Sequence, residues 1–125
     1  MRLWHPGLLP YLPTAQISGQ HRECCALRGN GWGRKHKTVD YVFTHSPATL
    51  FAYHQLVMAE AERRGSNITH KWKEPHYRGR NCEPWIPKQF GHPEGGYLEH
   101  DGAYLRECLE NLQGKGVIIR LEEEV

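Results

Sequence analysis

Eight prolines divide this chain of 125 residues into stretches that can be helical and stretches that cannot. Pro6, Pro10 and Pro13 fall within the first thirteen residues, and Pro75, Pro84, Pro87 and Pro93 fall between residues 66 and 98. Each ring fixes φ and removes a backbone donor, so neither region can form a continuous helix. Pro47 is placed differently, directly after Ser46, which pairs an N-cap with a first helical residue. Long helices are thereby confined to the segments after Pro13, after Ser46 and after residue 98.

The first helix is expected to start from Thr14 as its cap and to run to about Leu27 or Arg28. Gly29, Gly31 and Gly33 end it, with Trp32 between the last two. Its apolar stripe is Ile17, His21 and Cys24, opposite the small residues Gly19 and Ala26. In the second helix, Leu50, Phe51, His54, Val57, Met58 and Ala61 form a wide apolar face. Arg63 and Arg64 suit the negative end of its dipole, and Gly65 closes it. The third is expected from Asp101 as cap to Gln113, with Leu105, Cys108, Leu109 and Leu112 inward and Gly114 as the stop.

The remaining segments read as irregular. Val39, Tyr41 and Phe43 alternate with Asp40, Val42 and Thr44, the pattern of a brief extended segment. Residues 66–98 read as an arm wrapped over the helices and packed through Trp72, Tyr77, Trp85, Phe90 and Tyr97. Val117–Leu121 reads as a short strand-like tail leading into three glutamates. The expected fold is all-α: a compact three-helix single domain over residues 1–125, with long irregular loops and a short extended C-terminal tail.

Composition narrows the partners. Net charge is only +2, but residues 1–37 carry six Lys and Arg against one acid, whereas residues 38–125 carry ten against thirteen. That asymmetry points to a local anionic partner. No apolar stretch approaches the roughly 20 residues a bilayer requires, and no secretory leader is evident, so a cytoplasmic chain is expected. The four cysteines form no C-x-x-C pair, and Cys24 and Cys108 read as small buried hydrophobes. Nine histidines are scattered without close ligand pairs, so no metal is expected, and His54 reads as a hydrogen-bonded core residue.

Chemistry concentrates on the first helix. At about 100° per residue, Gly19 and Ala26 nearly superpose in projection, with Arg22 on one side and Glu23 on the other. The result is an uncluttered face, flanked by one cation and one anion, that a backbone, a substrate or the chain's own amino terminus could approach. Trp32 fits either a plug for the core or a platform for a base. Arg34, Lys35, His36 and Lys37 form a basic loop suited to phosphates.

These residues carry a resemblance. Gln20-His21-Arg22-Glu23-Cys24, Leu27-Arg28-Gly29, Gly31-Trp32-Gly33-Arg34-Lys35-His36, Tyr41-Val42-Phe43 and the opening Met1-Arg2-Leu3-Trp4-His5-Pro6 resemble the pyrimidine-dimer DNA glycosylases, the phage endonuclease V-like family, in its bacterial branch. The resemblance implies a helical domain whose amino terminus threads beside a catalytic glutamate, with no metal or other cofactor. It implies a DNA repair glycosylase and abasic-site lyase that works, as a monomer, on double-stranded DNA with damaged or abasic sites. Met1 and Glu23 would be catalytic, and Arg2, Arg22, Arg28, Trp32, Arg34, Lys35, His36 and Lys37 would bind DNA. The alternative is a nucleic-acid-binding protein on the same fold without catalysis.

The chain departs from the phage pattern at three places. Arg2 is bulky, which keeps Met1 as the residue bearing the amine. Ala26 replaces the family's second arginine, for which Arg28 is a displaced substitute. The tail ends Leu121-Glu122-Glu123-Glu124-Val125 instead of being aromatic and basic.

Overall fold

The computed structural model of the chain describes residues 2–121. Met1, and with it the proposed nucleophile, lies outside the described residues, as do the three glutamates of the tail. Among the described residues there are three long helices, α1 (Thr14–Arg28), α2 (Pro47–Arg63) and α4 (Gly102–Gly114), and one short one, α3 (Pro87–Phe90). Three 3-10 turns, Pro6–Tyr11, Asp40–Thr44 and His70–Lys73, join them, and there are no strands. The chain is an all-α domain, and no described helix is long and apolar enough to cross a membrane.

Local chemistry sets the helix ends. The Ser46 hydroxyl accepts from the Thr49 amide, and the Asp101 carboxylate accepts from the Tyr104 amide, so α2 and α4 begin where their caps dictate. α1 begins one residue earlier than Thr14 would set as cap. Pro13 occupies the cap position and gives no side-chain bond, while its carbonyl accepts from Gln16 and Ile17. At the other end, the Gly31 amide returns to the Ala26 carbonyl. A Cβ at Gly31 would lie 2.7 Å from that carbonyl oxygen, so the turn needs glycine.

The expected extended segment at 39–43 is a 3-10 turn. Val39 and Val42, three residues apart, are both buried, so the burial follows the 3-10 period and not the two-residue alternation of a strand. Val117–Leu121 has no regular secondary structure and pairs as a strand with none of the described residues. The 66–98 segment is the irregular arm expected, with its 3-10 turn and α3 as brief regular pieces.

α1 packs chiefly on α2, and the N-terminal 3-10 turn packs on α2 as well. The core joins Leu3, Leu8, Leu12, Ile17, Cys24, Val42, Leu50, Val57, Cys108 and Leu112, each at most 2% exposed. Burying a Leu, Ile or Val side chain in this way stabilises by roughly 1.5–3 kcal/mol. All four cysteines are free thiols.

Two arginines clasp the arm to α1 from opposite directions. The Arg28 guanidinium donates to the carbonyls of Trp72 (2.8 Å), Glu74 (2.7 Å) and Tyr77 (2.8 Å) and lies over the rings of Phe51 and Trp72. Arg78 of the arm donates back to the carbonyls of Arg28 and Gly29, the unsatisfied C-terminal end of α1. Arg28 is 0% exposed, which contradicts its expected role in binding DNA: its guanidinium is closed off inside the protein, with both Nη groups bonded there.

His54 sits in the same layer, fully buried, with Nδ1 3.0 Å from Arg28 Nη1 and Nε2 2.8 Å from His21 Nδ1. Burial, reinforced by the Arg28 charge, pushes its pKa down to about 2. In the unfolded chain a histidine titrates near 6.5, so below that pH the unfolded state takes up a proton that the folded state refuses. Stability is therefore full above about pH 6.5 and declines by about 1.4 kcal/mol per pH unit as pH falls below it. Denaturant midpoints measured from pH 7 to 5 should show that slope, and His54→Leu should flatten it.

Candidate active site at the start of the chain

The first residues of the chain are held by side chains from three helices. Gln20 of α1, 3% exposed, donates through its amide nitrogen to the Arg2 carbonyl (3.0 Å), while its oxygen accepts from the Trp4 amide (2.6 Å). That same oxygen accepts from the Tyr53 hydroxyl of α2 at 2.7 Å. From α4, the Tyr104 hydroxyl donates to the Leu3 carbonyl. Arg64, at the end of α2, donates to the carbonyls of Leu9, Pro10 and Leu12 and pairs with Glu60. A proline-rich segment that cannot satisfy its own backbone by a regular ladder is thus satisfied by its neighbours.

The anchored start forms part of the wall of a cavity of about 650 Å³. Arg2 and Trp4 line one side, and Gln16, Gly19, Gln20, Arg22, Glu23 and Ala26 of α1 line another. Thr38, Asn111 and Lys115 complete it. Gly19 and Ala26 leave the space that their small size permits, and Arg22 and Glu23 flank it. Glu23 is only 6% exposed, and its Oε2 is buried without a hydrogen-bond partner among the described residues. Burial raises its carboxyl pKa, while nearby positive groups, His36 among them, pull the other way. Arg22 is exposed at the rim, and Arg2 pairs loosely with Glu107 (3.3 Å).

The other expected DNA contacts divide. Lys37 lines a smaller cavity of about 230 Å³ that shares Arg2 and Thr38 with the large one. Arg34, Lys35 and His36 are exposed on the neighbouring loop, whose turn is fixed by the His36 amide donating to Asp40. Trp32 is half-buried, edge-on to Phe43 (5.1 Å) and Trp85 (5.5 Å), which is the plug and not an open platform. Gln20, Asn111 and Lys115 had no role assigned from sequence. Gln20 lay within the recognised segment but carried no charge to mark it, and the other two are 88 and 92 residues from Glu23.

The scattered histidines do converge elsewhere. His21, Cys25 and His54 bring ligand atoms within 4.8 Å of one another. Arg28 decides how these atoms are used. As a pure donor, it makes His54 Nδ1 an acceptor, which puts the ring proton on Nε2, the atom that would have to ligate. His54 Nε2 then donates to His21 Nδ1, and Cys25, its thiol pushed up to about 11 by burial, stays protonated beside His21. The cluster is a hydrogen-bond chain tying α1 to α2, not a ready ligand set.

A helical domain with a buried carboxylate beside its own anchored first residues, and cations at the rim, is built to act on an anionic substrate. The family model for pyrimidine dimer DNA glycosylase matches residues 1–74, more than half of the chain and most of the cavity wall. The chain belongs to the pyrimidine dimer DNA glycosylase family, a family of DNA repair enzymes whose substrate is damaged DNA. No curated protein and no solved structure matches it.

Gln20 should be the positioning residue for the start of the chain. Gln20→Leu is expected to release the Arg2 carbonyl and the Trp4 amide and to destabilise the fold by roughly 1–3 kcal/mol. Hydrogen exchange would report this as lost protection at Trp4, with protection in α2 retained.

Proposed function

We propose that the chain is a DNA glycosylase and abasic-site lyase that excises damaged pyrimidines through an imine formed by its N-terminal α-amine. The observation that carries this reading is the buried Glu23 carboxylate, whose Oε2 has no hydrogen-bond partner among the described residues, in a cavity that Arg2 also lines. Family membership supplies the substrate class, and the cavity supplies a place for an extruded nucleotide.

The chemistry follows from what each group can do. An α-amine has an ordinary pKa near 8, well below that of lysine, so a useful fraction is neutral at physiological pH. The neutral nitrogen attacks C1′ as the bond from C1′ to the base breaks, and the base leaves with the bonding pair and acquires a proton. Opening of the sugar ring, with proton transfer to O4′, gives the imine. Removal of a proton from C2′ then expels the 3′ phosphate by β-elimination and cuts the strand.

Glu23 serves both halves. Its carboxylate stabilises positive charge developing at C1′, and its raised pKa suits it to carry protons between N, O4′ and C2′. Arg22 and Arg2 at the rim hold flanking phosphates, and the Arg34–Lys37 loop extends that positive surface along the duplex. Arg28 and Trp32 position the scaffold.

The test is a duplex with one defined abasic site, incubated with the protein in a chelator. The expected product carries an unsaturated sugar fragment at the new 3′ end. An intact strand, or a 3′-hydroxyl product from hydrolysis, would contradict the proposal. A parallel duplex carrying a cyclobutane pyrimidine dimer tests the glycosylase half.

A further inference from the structure

Ala26 stands in the walls of two cavities. One is the cavity beside Glu23, and the other is a groove of about 360 Å³ between the end of α1 and the arm. Gly29, which lines the groove, follows Ala26 by three residues and lies about 60° round the helix axis from it. The two openings therefore face neighbouring sectors of one helix. A chain running past Glu23's cavity on the Ala26 side meets the groove next, and the Ala26 methyl group leaves the way open.

The lining of the groove suits an anion. Arg78, Arg80, Asn30 and Asn81 line it together with Cys25 and Cys82, and no carboxylate does. Arg78 is fixed there by the carbonyls of Arg28 and Gly29 and by the Trp85 ring, 4.7 Å away. Gly79, with φ of 95°, makes the turn that carries the chain from Arg78 to Arg80. Arg80 is exposed and makes no hydrogen bond or ion pair with a described residue. The Asn30 oxygen accepts from the Cys82 thiol (3.1 Å), which leaves its NH2 group as the available donor. Cations and donors without a competing carboxylate are what a phosphate requires.

Charge along the chain singles out the same stretch. Residues 70–88 carry five Lys and Arg against two acids, whereas residues 89–110 carry one against five. The positive part of the arm is the part that Arg28 and Arg78 clasp to α1.

Resting on the DNA-repair reading, we infer that this groove is a second phosphate site: a backbone phosphate of the duplex, further along from those at Glu23's cavity, sits against Arg80 and the Asn30 amide, with the Arg78 charge behind it. Its two arginines lie past the family match, which ends at residue 74. The groove holds backbone and not lesion, so it strengthens binding to damaged and undamaged duplex alike.

The experiment measures fluorescence-anisotropy binding of the full chain, over a range of salt, to two short duplexes. One carries a tetrahydrofuran abasic analogue that cannot be cleaved, and the other is undamaged. Arg80→Ala should weaken both complexes roughly tenfold, as for one charged hydrogen bond, and lower the salt slope by about one. Arg80→Glu should weaken them further. Asn30→Asp, which keeps the shape but places a negative charge in the groove, should also weaken both. Melting temperatures check the fold, and if one position proves structural the other decides. Neutral methylphosphonates placed singly along each strand then locate the contact: at one position the substitution should weaken the wild type and leave Arg80→Ala unaffected.

Unchanged affinity and slope in Arg80→Ala and Asn30→Asp, beside a wild type that binds, would overturn the inference and leave the glycosylase proposal standing. Losses with no phosphate position coupled to Arg80 would overturn it too, because they mark a charge acting from a distance. A wild type that binds but never cleaves cleavable abasic DNA removes the lyase proposal alone, and the same comparison still decides the groove. A wild type that binds neither duplex overturns both.

Discussion

Replacing Glu23 by glutamine should abolish strand cleavage without harming the fold. Gln keeps the shape and polarity of the side chain but can neither stabilise a cation at C1′ nor exchange protons in the working range. Losses of about 10²–10⁴ in single-turnover rate are typical when a group with those two duties is removed. The stability effect should have the opposite sign. Burial raises the carboxyl pKa in the folded state, so at neutral pH the charged form is held at a cost that relaxes only as pH falls through the folded pKa. A neutral amide avoids that cost, and the melting temperature of Glu23→Gln should equal or exceed that of the wild type at pH 7. A variant that melts early, or one that keeps its rate, would contradict this account of Glu23.

The largest stability loss is expected at Arg28. Arg28→Met leaves the carbonyls of Trp72 and Tyr77 without their side-chain donor, takes one of two donors from the Glu74 carbonyl, which keeps the Tyr77 amide, and removes a cation that lies over the rings of Phe51 and Trp72. Unsatisfied acceptors shielded from water cost roughly 1–3 kcal/mol each, so with two of them left a loss of about 2 kcal/mol or more is expected. Because these bonds hold the arm, a protease should cut the variant between residues 66 and 86 before the helices open. Urea unfolding monitored beside limited proteolysis would show both effects. A midpoint close to that of the wild type would mean that the clasp contributes little.

What could be foreseen here was local, and what could not was remote in sequence. Ser46-Pro47 and Asp101 announce helix starts within four residues, and the structure uses both caps. The open face between Gly19 and Ala26 follows from helical projection alone, and that face lines the cavity. The segment at 39–43 misled because alternating apolar residues imply a strand only when neighbouring strands exist to pair with it. Here burial is set by two valines three residues apart.

Arg28 was misjudged for a related reason. A cation in a basic stretch reads as surface, and its burial is arranged by carbonyls 44 to 49 residues further along. Asn111 and Lys115 carry no pattern of their own within α4. Only the packing of that helix beside the anchored N-terminal segment brings them to Glu23's cavity.

The mechanism turns on the first nitrogen of the polypeptide serving as the reagent, and borohydride trapping reads that atom directly. Reduction in the presence of abasic DNA should yield a covalent protein–DNA adduct, and peptide mass mapping should place the reduced sugar on the α-amine of the first residue. Acetylating that amine beforehand should prevent the adduct. An adduct mapped to a lysine, or none from protein whose amino terminus is verified to be free, would contradict the account.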